Sequence, residues 1–184
     1  MAGGFAYNEL MRYLIPLLAT VVLVASLPGC GRSVDATPDS VKTAEAKWKA
    51  AGIRDYDLEW TNSGLGTGHY RVFVRDGEVK AIYSLLPGGR EIVAKPGQPR
   101  FYSVDGLFLT IKDEMAQRAT ETPFGRPKGT SAILKFEPDP TLGYPRSYRR
   151  DVMGTPKGVS IDVVRLDRDP PSEVPPPVGS PAFR

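Results

Sequence analysis

Tyr70-Arg-Val-Phe-Val-Arg75-Asp76-Gly77-Glu78-Val-Lys-Ala-Ile-Tyr83 is the stretch from which the fold is read. Two runs with apolar residues at every second position flank an Asp-Gly pair. A two-residue type I′ turn needs φ > 0 at both central positions, which aspartate tolerates and glycine adopts freely, so the pair predicts a tight antiparallel hairpin. The turn sets the register: Arg75 opposite Glu78, Val74 opposite Val79, Phe73 opposite Lys80, Val72 opposite Ala81 and Tyr70 opposite Tyr83. One face is then apolar and the other carries Arg71, Arg75, Glu78 and Lys80. The expected sheet has a single buried side.

Upstream, Tyr56, Leu58 and Trp60 alternate with Asp57, Glu59 and Thr61, which predicts another half-buried strand, and Thr61 to Gly68 reads as a flexible loop. Before it, Thr37-Pro38-Asp39-Ser40 carries helix-start chemistry: a capping hydroxyl, a proline suited to the first turn and an acid at the positive dipole end. Val41, Ala44, Trp48 and Ala51 then recur at spacings of three and four, with Lys42, Lys47 and Lys49 facing away, and Gly52 closes the helix.

Downstream, Pro87-Gly-Gly is a turn, Arg90 to Ala94 reads as a short strand and Lys95 to Pro99 as a loop. Ser103 is placed to cap a second helix with a stripe of Val104, Leu107, Phe108, Ile111 and Met115, in which Gly106 costs about 1 kcal/mol relative to alanine. Thr122 to Thr130 is a loop rich in breakers. Strands follow near Ser131–Phe136, Ser147–Val152 and Val159–Leu166. In Gly143-Tyr144-Pro145, glycine supplies φ > 0, proline opens a strand and tyrosine lands on the core or its rim; a ligand-gripping loop is the alternative. The fold class is therefore α+β, an antiparallel sheet of about six strands in meander or hairpin order with two amphipathic helices on one face.

The termini differ in character. Tyr13 to Leu27 is an apolar run with no charged residue, too short for the roughly 20 apolar residues of a spanning helix and interrupted by Pro16, so it reads as a secretory leader. Leu27, Gly29 and Cys30 resemble the lipobox of bacterial lipoproteins, in which the cysteine thiol takes a diacylglyceryl group. A plain leader cut elsewhere, or an uncleaved anchor, is the other reading. The expected organisation is residues 1–29 leader, 30–37 tether, 38–167 one α+β domain and 168–184 a disordered proline-rich tail, read as a passive tail with a proline-rich ligand or a spacer toward the cell wall as the alternative.

Composition narrows the function classes. Removing residues 1–29 takes away one arginine and one glutamate, so the net charge stays at +3, a solubility feature and not a nucleic-acid signature. Cys30 is the only cysteine, which excludes an internal disulfide and leaves no thiol pair for a metal. The acids Asp151, Asp162, Asp167 and Asp169 are scattered, and no nucleotide, cofactor or nucleophile motif occurs. The single histidine, His69, reads as a solvated strand side chain. No catalytic constellation, cofactor or metal site is expected.

Trp48 followed by Ile53-Arg-Asp-Tyr56, then Val72 to Val79, Val104 to Ile111, and Phe136-Glu-Pro-Asp-Pro-Thr-Leu-Gly-Tyr-Pro145 with Asp151 beyond, resembles the lipoproteins grouped as domain of unknown function 6174. The resemblance runs from about Val41 to Leu166. It implies an exported, usually lipid-anchored domain with no assigned activity. One basic-aromatic cluster, Tyr144, Arg146, Tyr148, Arg149 and Arg150, suits an anionic or carbohydrate partner; otherwise it is a solvated strand face with Arg149 or Arg150 paired to Asp162 or Glu137. The expectation is an envelope lipoprotein on the periplasmic or outer face, held at the membrane by its N-terminal lipid, with an envelope protein or polymer as partner. It would act as a non-catalytic interaction module, with an inhibitor or assembly-accessory protein as the alternative. A hydrolase would instead show a deep polar pocket near paired acids.

Overall fold

The computed structural model describes residues 33–64, 66–155 and 158–179. The leader and Cys30 lie outside the described residues. Two meanders form the sheet: β2 (Tyr56–Ser63), β3 (Gly68–Arg75), β4 (Glu78–Leu85) and β5 (Glu91–Val93), then β6 (Ala132–Pro138), β7 (Pro145–Val152) and β8 (Val159–Asp167). A two-residue strand, β1 (Val34–Asp35), pairs with β6 at one edge, Val34 opposite Phe136. The order is β1-β6-β7-β8-β2-β3-β4-β5, antiparallel throughout. Among the described residues the sheet thus has eight strands instead of about six. The additional ones are short, and β1 lies inside the segment expected to be only a tether. Nor is the order a simple meander, because β8 returns alongside β2 and welds the two halves together.

Both helices cover one face. Helix α1 (Pro38–Ala50) starts with the expected chemistry: Thr37 Oγ1 accepts from the Ser40 amide, and the Ser40 hydroxyl oxygen accepts from the Thr37 amide, a reciprocal capping box. Its stripe buries Val41, Ala44 and Trp48. Ala51, expected in that stripe, is the exposed C-cap residue. Helix α2 (Val104–Arg118) is capped by Ser103 and buries Val104, Leu107, Phe108 and Ile111. These side chains meet Tyr56, Leu58, Trp60, Val72, Val74, Ile82, Leu134, Phe136 and Tyr148 from the sheet in one core. Each large side chain so buried contributes about 1.5–3 kcal/mol.

Gly106 has a packing reason that outweighs its poor helix propensity. A Cβ there would lie 2.2 Å from the Arg100 carbonyl oxygen, so only glycine lets the 3₁₀ turn Pro99–Tyr102 pack against α2. Gly143 behaves similarly: its φ is +81° and a Cβ would strike the Ala44 carbonyl of α1. Pro145 is the first residue of β7, and Tyr144 packs edge-on against Trp48 at 6.4 Å. The structural reading of Gly143-Tyr144-Pro145 is the one observed.

The hairpin turn has φ of 55° at Asp76 and 77° at Gly77, as type I′ requires. Arg75 opposes Glu78 and Val74 opposes Val79. Beyond them the expected register fails, because a bulge leaves Lys80 without a partner and pairs Phe73 with Ala81, Val72 with Ile82 and Arg71 with Tyr83. One extra residue exchanges the faces of β4. Ile82 enters the core, and Tyr83 joins Phe73 on the opposite face, their ring centroids 5.0 Å apart.

That opposite face is not simply solvated. Phe73 and Tyr83 are 1% and 6% exposed, and Arg75 is 8% exposed. The proline-rich segment expected to be a disordered tail supplies hydrogen bonds to the sheet through Pro171, Pro175 and Val178. Proline cannot donate to a ladder, but its carbonyl still accepts. Part of the sheet is therefore buried on both sides.

Candidate interaction surface

Alternation along β7 divides the basic-aromatic cluster between the two faces of the sheet. Tyr148 points into the core, where its hydroxyl donates to a carboxylate oxygen of Glu114 on α2. Arg150 holds the other oxygen at 2.7 Å, and its guanidinium lies 4.5 Å from the Phe124 ring centroid. Burial pushes the Glu114 carboxyl above its ordinary range, while the Tyr148 hydrogen bond and the Arg150 charge pull it part of the way back. Burial likewise raises the Tyr148 phenol, reinforced by the Glu114 carboxylate. These two cluster members tie α2 to the sheet and are occupied internally. Tyr144 sits at the core rim, and Arg146 lies 3.4 Å from Glu137.

Arg149 lies on the face of the sheet opposite Tyr148 and Arg150, and both it and Arg146 are exposed. Of the pairings expected for Arg149 and Arg150, neither forms: Arg150 pairs with Glu114, Glu137 takes Arg146, and Asp162 accepts from the Ser160 hydroxyl at 3.1 Å. Among the described residues, no carboxylate lies within 4 Å of the Arg149 guanidinium. It lines an open hollow of about 370 Å³ with Ser63, Thr67, Asp151 and Ser160. A cation beside hydroxyls and backbone can hold an anionic or hydroxyl-bearing group. The hollow contains one carboxylate, Asp151.

A second region lies across β2–β5 on the same outer face. His69 Nε2 is 2.7 Å from Glu59 Oε1, so the histidine expected to be solvated is anchored to a neighbouring strand. Arg71 bridges Glu59 at 3.6 Å and Glu91 at 2.7 Å, and the Glu91 side chain is only 3% exposed. Arg75 donates to Asp57 at 2.8 Å and, through Nε and Nη2, to the Pro171 carbonyl at 3.1 and 2.8 Å. The Tyr83 hydroxyl donates to the Pro175 carbonyl at 2.8 Å. Glu91 is bonded twice to Val178, its carboxylate accepting from that amide and its own amide donating to that carbonyl, each at 2.9 Å. A hollow of about 250 Å³ remains between Pro171, Pro175 and the sheet. Sequence reasoning missed Tyr83, Glu91 and the proline carbonyls; the signal available was an aromatic and a buried acid opposite a segment with acceptors but few donors.

Among the described residues there is no group of three or more His, Cys, Asp or Glu side chains placed to hold a metal ion, and no helix is long and apolar enough to cross a membrane. Residues 40–123 match the model of a family of unknown function (DUF6174). Over those residues, from α1 through α2, the chain is similar to that family, the one its sequence motifs resemble. The match ends at Pro123, so β6 to β8 lie outside it although the resemblance was read as far as Leu166. No curated protein matches the chain.

Proposed function

We propose that the chain is an exported protein, lipid-anchored through Cys30 to the cell envelope, whose domain acts as a non-catalytic interaction module. The observation that carries this reading is the attachment of the chain at the sheet edge. Val34 is paired to Phe136, and the four residues from Cys30 to Val34 span about 14 Å at most. A lipid on Cys30 would therefore hold the β1 edge against a bilayer instead of letting the domain drift on a long leash. Each acyl CH₂ buried in that bilayer contributes about 0.8 kcal/mol, so two or more chains suffice for stable attachment.

The outer face supports the interaction role, since it offers Arg149 beside the hydroxyls of Ser63, Thr67 and Ser160 in one place and, in another, a groove lined by Phe73, Pro171 and Pro175 together with charged side chains. Crosslinking of the full-length protein in intact envelopes, followed by capture, tests it. Recovery of an envelope protein or polymer whose yield falls on Arg149→Ala, or on substitution of the outer-face aromatics, is the expected result. Recovery of one envelope enzyme, inhibited by the captured chain, would select the inhibitor reading. A domain that crosslinks to nothing and hydrolyses an ester, peptide or glycoside bond would overturn both.

A further inference from the structure

The sheet face made by Phe73, Arg75, Tyr83 and Glu91 grips residues 171–178 mainly through their backbone. Arg75 and Tyr83 donate to the Pro171 and Pro175 carbonyls, and Glu91 takes both the amide and the carbonyl of Val178. Of the three accepting carbonyls, those of Pro175 and Val178 are three apart, the repeat of a polyproline II helix, which Pro175-Pro176-Pro177 favours because each ring fixes φ, while Pro171 lies four residues before Pro175. An aromatic hydroxyl and a cation donating to proline carbonyls above packed rings is the chemistry by which proline-rich segments are recognised. Little in it is particular to this segment's side chains. The hollow of about 250 Å³ left beneath Pro171 and Pro175 further marks the fit as incomplete.

We propose that this face is a receptor for proline-rich segments, that residues 171–178 occupy it in cis, and that a proline-rich segment of a partner protein displaces them. The inference deepens the interaction-module reading by naming the partner's chemistry, and it rests on that reading. Only Arg168 to Pro170 separate the end of β8 from Pro171, so the cis segment acts at an effective concentration on the order of millimolar. A partner must exceed that to bind, which makes the cis segment a built-in competitor.

The test uses the full chain and a fluorescein-labelled peptide of residues 169–179 as the probe, followed by fluorescence anisotropy. The triple variant Pro175→Gly, Pro176→Gly, Pro177→Gly keeps the chain length and the sheet face but loosens the cis segment. It is expected to bind the peptide at least tenfold more tightly than the unaltered chain, and adding Tyr83→Phe should remove most of that gain, with unchanged circular dichroism verifying the fold in each case. Equal binding to both chains, or binding indifferent to Tyr83→Phe, would overturn the receptor. Sedimentation of the unaltered chain as a dimer that the triple variant does not form would overturn the partner as source and place the exchange between two copies. Failure of the titration beside successful envelope crosslinking would strike this inference and leave the interaction module standing.

Discussion

Arg75 and Pro171, 96 residues apart in the chain, are joined by two hydrogen bonds from one guanidinium to one carbonyl, at 3.1 and 2.8 Å. The same guanidinium bonds Asp57, so a single side chain fastens the end of the β3 strand, its neighbour β2 and the proline-rich segment. Arg75→Met keeps the apolar stem and removes every donor. It should destabilise the domain by about 2–4 kcal/mol in denaturant titration, since it strands a half-buried carboxylate and a carbonyl. Hydrogen exchange at Val178 should accelerate in the same variant. Unchanged exchange there would mean that the segment is held by something other than Arg75.

The basic-aromatic cluster should separate into two classes on substitution. Tyr148→Phe removes the hydroxyl that Glu114 accepts from and should cost about 1–2 kcal/mol, with the Glu114 carboxyl rising further above its ordinary range in an NMR titration because a donor to its charged form is gone. Arg149→Ala should leave stability within about 0.5 kcal/mol and weaken association with anionic envelope polymers. Loss of stability in Arg149→Ala, or none in Tyr148→Phe, would contradict the division of β7 between its two faces.

Gly106 offers a test in which local propensity and packing predict opposite signs. Alanine is the better helix former by about 1 kcal/mol, yet its Cβ would meet backbone atoms of Arg100 and Phe101 at 2.2 and 2.5 Å. Gly106→Ala should therefore destabilise, by about 1–3 kcal/mol net, measured by thermal or urea unfolding. A stabilised variant would show that the 3₁₀ turn yields easily.

Glu45 links the helices, bonded to Lys112 on α2 and, at 2.9 Å, to Lys49 one turn along α1. Burial works to raise its carboxyl, but the hydrogen bonds and charges of the two lysines outweigh it and hold the pKa below the ordinary 4.5. A carboxylate depressed in the folded state contributes stability that is present above the unfolded value and lost as pH falls through the folded one. Glu45→Gln should cost about 0.5 kcal/mol at pH 7, and the difference from the unaltered chain should shrink as pH falls below 4.5 and through the folded value. A difference independent of pH would assign the effect to packing.

Both helices, their caps and the turn at Asp76-Gly77 were legible because each depends on residues within a few positions: Thr37 with Ser40, Ser103 with Gly106, and one dipeptide between alternating runs. The bulge at Lys80 leaves no such mark. A strand with one extra residue keeps its alternation on either side, and only the identities of Ile82 and Tyr83 register that the faces have exchanged. The pairing of β8 with β2 and the two-residue β1 are set by closure of the core and not by local spacing. The proline-rich segment misleads for a chemical reason: its composition excludes ladder pairing, but side-chain donors on the sheet can satisfy its carbonyls. The candidate site was half visible, since β7 announced its arginines and tyrosines without showing that Glu114, one helix away, already holds two of them.

The fate of the cysteine at position 30 decides whether the domain is held at a membrane. Intact-mass and peptide mass spectrometry of the protein extracted from native membranes should find residue 30 as the N-terminus, its sulfur carrying a diacylglyceryl group. An unmodified thiol, or a chain still beginning at Met1, would contradict the lipid anchor and the placement of the β1 edge at a membrane.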